Sequence, residues 1–147
     1  MTVQLCNCVS VAVGVDAELY ERSVDYVNQT EDRIVSQWIE VSADEKHEMH
    51  ERLNEILRPL GFETRLLVIG RANSLALIFL CMTLSALMSL RNHWRTQRLR
   101  YIVRELFIFL SHHSRKLRVN RLTWPLTDYE RCLEFFSFLK GKRSIMT

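Results

Sequence analysis

The sequence predicts an all-α domain, a helical bundle packed around one central apolar helix at about residues 72–90. Three observations carry that prediction. Residues Ala72 to Leu90, ANSLALIFLCMTLSALMSL, run without a charge between Arg71 and Arg91. Elsewhere the apolar residues recur three and four apart, the period of a helix with one buried face. With four Gly, two Pro and no long apolar alternation, the composition favours helices over a sandwich or barrel.

The opening residues, MTVQLCNCVSVAVGV, are mildly apolar without a positive leader and read as mature chain. From Asp16, the spacing of Tyr20, Val24 and Val27 predicts a first helix over 16–28. Thr30 followed by Glu31 and Asp32 is a start signal, because a hydroxyl caps free N–H groups and acids suit the positive end of the helix dipole. It opens a second helix over 31–41, burying Ile34, Val35, Trp38 and Ile39. Ser42-Ala43-Asp44-Glu45 has the form of a capping box and starts a third, 43–58, with Met49, Leu53, Ile56 and Leu57 on its apolar face and Pro59 and Gly61 ending it. A loop from Phe62 to Val68 leads into the central helix. Residues 95–117 predict a long amphipathic helix whose inward face is Leu99, Ile102, Val103, Leu106, Phe109, Leu110 and His113. Thr127-Asp128-Tyr129-Glu130 is a second capping box, opening a last helix closed by Gly141.

A helix over 72–90 would be about 28 Å long, which fits the middle of a bundle or a thin bilayer. Asn73, Ser74, Thr83, Ser85 and Ser89 interrupt its apolar character, and small residues such as Ala76 and Ala86 would let neighbouring helices approach. A single-pass membrane protein anchored by 72–90 is the competing expectation. The amphipathic pattern of 95–117 favours packing within the same chain.

At 147 residues the chain suits one domain. Residues 1–70 carry 13 acids and 6 bases, and residues 71–147 carry 4 acids and 14 bases, so halves of net −7 and +10 attract one another. Cys6, Cys8, Cys81 and Cys132 form no C-x-x-C pair, which fits a reducing compartment with no disulfide framework or zinc site. His47-Glu48-Met49-His50 lacks the four-residue histidine spacing of a zinc protease helix. His112 and His113 have no sequence-adjacent acid or thiol. No Gly-rich phosphate loop, serine elbow or paired carboxylate in an apolar setting is present, so neither an enzyme nor a cofactor is expected. The basic run Arg91–Arg121 reads first as a solvated face, and no recognisable nucleic-acid-binding module accompanies it.

Gly70-Arg71 before the apolar run, and Thr123-Trp124 lying 53 residues after Arg71 and followed by DYERCLEFF, give the chain a layout that resembles the Bcl-2 family of apoptosis regulators. The resemblance covers roughly residues 43–140, with HEMHERLNEILRPLG as the preceding helix. It implies one helical domain over 1–147 without a C-terminal membrane anchor, since KGKRSIMT follows Leu139. It also implies a groove that captures the Bcl homology 3 helix of a death-promoting partner. Gly70, Arg71, Met49, Leu53, Ile56, Leu57, Ser74 and Ile78 would line that groove, with Arg71 pairing with the ligand aspartate. Val68 and Ile69 stand where the family has Asn-Trp, which implies a narrower ligand range. The expected role is inhibition of apoptosis by a divergent, tail-less, viral-type member. It would be intracellular and cytoplasmic, peripheral at host mitochondria, and able to form a homodimer through an exposed groove. A pore-forming, death-promoting member of the same fold is the alternative.

Overall fold

The computed structural model describes residues 7–17, 24–71, 74–112 and 117–146. Cys6, Tyr20, Ala72, Asn73 and His113, named above, lie outside the described residues. In chain order the elements are β1 (Cys8–Ala17), α1 (Val24–Ala43), α2 (His50–Leu57) with a 3-10 turn (Arg58–Leu60), β2 (Thr64–Arg71), β3 (Leu75–Cys81), α3 (Leu84–Arg95), α4 (Arg98–Ser111), β4 (Leu117–Thr123) and α5 (Leu126–Met146). The strands form one sheet in the order β2-β3-β1-β4, with every neighbour antiparallel. The chain therefore crosses from β1 over β3 to β2, returns in a hairpin, and crosses from β3 over β1 to β4. This is a split-βαβ, ferredoxin-like topology with two α-helices in each crossover and a further helix after β4.

The all-α bundle around a central helix is thus overturned. The apolar run divides in two. Leu75, Leu77, Phe79 and Cys81 are buried while Ala76, Ile78 and Leu80 are half-buried, which is the alternation of a strand. The outward residues Ala76, Ile78 and Leu80 of β3 are small or apolar and half-buried, so both of its faces lack charge and its sequence reads as continuously apolar. Thr83 then caps α3, its hydroxyl accepting from the Ala86 N–H at 3.1 Å. The opening segment is a strand as well: Val9, Val11, Val13 and Val15 all point to the core, with Ser10, Ala12 and Gly14 between them.

Other boundaries move for local reasons. Neither Thr30 nor Ser42 starts a helix; α1 runs through both, Thr30 is buried, and Ser42 Oγ donates back to the Trp38 carbonyl. Pro59 and Gly61 do stop the third predicted helix, and Gly61 takes a φ of 88° that suits glycine. The predicted loop 62–68 is mostly β2. The predicted helix over 95–117 is α4 alone, followed by β4, and Gln97 precedes α4 in a left-handed conformation. The last helix begins at its predicted place but continues past Gly141.

Helices α1–α4 cover one face of the sheet. Ile34, Trp38 and Val41 of α1, Leu53 and Ile56 of α2, Leu87 and Leu90 of α3, and Leu99, Val103, Leu106, Phe107 and Leu110 of α4 meet the odd-numbered valines of β1 in one core. The fifth helix does something different. Strand β4 pairs with β1 only from Ala12 onward, so among the described residues no strand pairs with the start of β1 on that side. There Asp128 Oδ2 accepts from the Ser10 N–H at 3.2 Å, and the Cys132 thiol donates to the Cys8 carbonyl at 3.5 Å. Side chains of α5 thus stand in for the missing strand. Among the described residues no helix is long and apolar enough to cross a membrane.

Candidate functional site

Arg71, the expected ligand partner, ends the edge strand β2 and is occupied within the chain. Its guanidinium donates to Glu31 Oε1 at 2.8 Å and to Asn28 Oδ1 at 3.4 Å, with Asp32 Oδ1 at 3.7 Å. Glu31 is buried, and burial pushes its carboxyl above the usual range even though Arg71 pulls the other way. Gly70 pairs with Ala76, and a Cβ there would meet nothing closer than Val68 Cγ1 at 3.8 Å, so no close approach demands glycine.

The other expected groove residues are split by the hairpin. Ser74 precedes β3, and Ile78 lies half-buried on its outer face beside Val68. Leu53 and Ile56 are core residues, while Met49 and Leu57 are half-buried against the core. No single groove holds all eight. Leu53 and Leu57 open into one cleft, whereas Ile56 opens into another.

The first cleft, about 640 Å³, lies between the C-terminal half of α1, α2 with its 3-10 turn, and β2. Trp38, Leu53, Leu57, Leu60 and Leu66 supply its apolar wall, and Phe62, 94% exposed, stands beside it. Arg58 and Arg65 stand at its rim, no carboxylate lines it, and neither arginine has an ion pair among the described residues. Sequence reasoning found Leu53 and Leu57 through helical spacing. It missed Arg65 and Leu66 because β2 read as a loop.

The second cleft, about 570 Å³, lies between α2 and the α3–α4 corner and includes Ile56, Pro59, His93, Tyr101 and Ile102. His93 Nδ1 is buried there with no hydrogen-bond partner among the described residues, and burial, reinforced by Arg98, lowers the imidazole's pKa. Beyond it, Arg91 is caged: its guanidinium lies 4.1 Å from the Trp94 ring and 5.0 Å from those of Trp124 and Tyr129, and donates to the Trp124 carbonyl at 2.9 Å. The tryptophan that suggested a family landmark is therefore a packing partner of α3 and of the start of α5.

The histidines of the HEMH stretch serve local turns. His47 Nδ1 accepts from the Met49 N–H at 3.1 Å, and a His50 ring nitrogen lies 3.0 Å from the Val41 carbonyl. Among the described residues no group of His, Cys, Asp or Glu is placed to hold a metal ion. The buried Cys81 thiol, its pKa pushed up to about 12 by burial, is a poor nucleophile. No family model, curated protein or solved structure matches the chain.

Proposed function

We propose that this chain is a non-catalytic binding module that receives an amphipathic, acid-bearing helix of a partner protein in the cleft between α1, α2 and β2. The observation that carries the reading is the apolar wall of Trp38, Leu53, Leu57, Leu60 and Leu66 with Arg58 and Arg65 at its rim and no acid among the described residues that line it. Helix-in-groove recognition uses this combination, in which apolar anchors enter the cleft and cations fix the register. Strand addition along β2 is the weaker mode, because a bulge between Leu66 and Val68 breaks the regular ladder a second strand would extend.

The partner class implied by the resemblance, the Bcl homology 3 helix of a death-promoting protein, has this chemistry. Its sequestration, and so inhibition of apoptosis, is the role we attach to the cleft. Arg58 and Arg65 take the part first given to Arg71. Titrating the folded chain with a panel of such helices should give binding that Leu57→Glu abolishes and Arg58→Glu with Arg65→Glu weakens by about tenfold or more. Arg71→Ala should leave the affinity unchanged. Failure of every helix to bind the folded protein would overturn the reading. Expression in cells given a death stimulus separates a protective module from a killing one.

A further inference from the structure

We propose that the corner between the end of α3, the start of α4 and β4 is a binding site for a compact, multiply phosphorylated anion. Here Arg95, Arg100 and Arg121 gather with Trp94 and Asn120 around a polar recess of about 430 Å³, and among the described residues no carboxylate lines it. Three cations lining one recess give it a positive potential that favours an anion there.

The recess is built, not merely crowded. Arg100 donates its Nε to the Val119 carbonyl at 2.8 Å, which fixes the guanidinium plane and leaves both terminal nitrogens available. Trp94 is held by its own Nε1, which donates to the Leu122 carbonyl at 3.0 Å, and by Arg91 stacked on its ring. Arg95 and Arg121 have no ion pair among the described residues.

The neighbouring arginines are committed elsewhere, and this sets the size of the ligand. Arg91 is caged by aromatic rings, Arg104 donates to the Leu117 carbonyl and pairs with Glu105, and Arg98 faces the cleft that holds Glu55 and Glu105. What is left is a cluster, not a track, so closely spaced phosphates fit better than a polynucleotide backbone. The outer face of the sheet likewise presents no aromatic ring among the described residues on which a base would stack. The phosphates have two sources, a soluble polyphosphorylated molecule or a phosphoinositide headgroup at a membrane surface.

The test uses the full chain at physiological salt, with binding calorimetry and thermal stability as readouts. Inositol hexakisphosphate is the soluble probe, and phosphatidylcholine vesicles containing phosphatidylinositol 4,5-bisphosphate are the membrane probe. Arg95→Gln with Arg121→Gln, both exposed and outside any bond described here, should weaken binding by about tenfold per arginine. Arg58→Gln with Arg65→Gln, an equal charge change at the other cleft, should leave it unchanged. Tighter binding to the vesicles identifies a headgroup; tighter binding to the soluble probe identifies a free anion. Equal loss in both double variants, no binding of either probe, or tighter binding of single-stranded DNA would overturn the proposal. None of these results bears on capture of a helix in the first cleft.

Discussion

At Arg71 a residue that looked ready for a ligand is spent on the fold. Glu31 is buried and its carboxyl is raised, so the folded state favours the protonated form. Its contribution to stability is therefore full below the unfolded carboxyl pKa and is lost as pH rises through the folded one. Arg71 opposes that loss by pairing with the carboxylate. Removing the guanidinium should thus cost little in acid, where Glu31 is neutral. At neutral pH it should cost about 2 kcal/mol, the worth of a charged hydrogen bond to a buried group. Urea unfolding of Arg71→Ala at both pH values checks this, and an equal cost at both would mean the side chain acts by packing alone. The sequence showed a cation after a glycine at Gly70-Arg71. It could not show the acid 40 positions earlier that neutralises it.

Elements were legible where one local signal decides them. Pro59 and Gly61 end α2 and its 3-10 turn wherever the rest of the chain goes, and Thr127-Asp128 marks the start of α5. Strands were lost where tertiary placement decides. β3 lies between two neighbours, and its apolar character on both faces is indistinguishable from that of a buried helix. β1 was readable: four valines at every second position are a strand pattern, partly hidden by the small residues between them. The α3–α4 corner was missed for another reason. Gln97 takes a φ of 69°, which a non-glycine residue adopts at a cost, and nothing in its side chain announces it. Gln97→Gly should therefore raise stability by about 0.5 to 1 kcal/mol, after allowing for the greater freedom of glycine in the unfolded chain. Thermal unfolding measures it, and a destabilised variant would mean that the side chain, not the backbone, holds the corner.

For the whole molecule, the acidic first half and basic second half do belong to one packed unit, since α1 packs against α4 and β1 lies between β3 and β4. Charge balance constrained which halves meet but not how. The candidate cleft needed the fold as well, because its walls come from α1, α2 and β2, and while Trp38 of α1 and Leu53 and Leu57 of α2 lay on readable helical faces, β2 read as a loop. The topology also ranks the strands. β3 is paired on both sides along nearly its whole length, β1 pairs with β3 over its first half and with β4 over its second, and β2 and β4 are edges. Amide exchange should therefore be slowest in Leu75–Leu80 of β3 and faster by about tenfold or more in β2 and β4. Uniform protection along β2 would point to a second chain already lying against it.

The last helix also sets a limit on where this polypeptide can be shortened. A version ending before Leu126 would lose the carboxylate and the thiol that occupy the Ser10 amide and the Cys8 carbonyl. Those groups would become a short open seam beside a valine-rich ribbon, free to zip onto the same ribbon of another copy. A helix that looks like an appendage in the topology is thus a guard against self-templating.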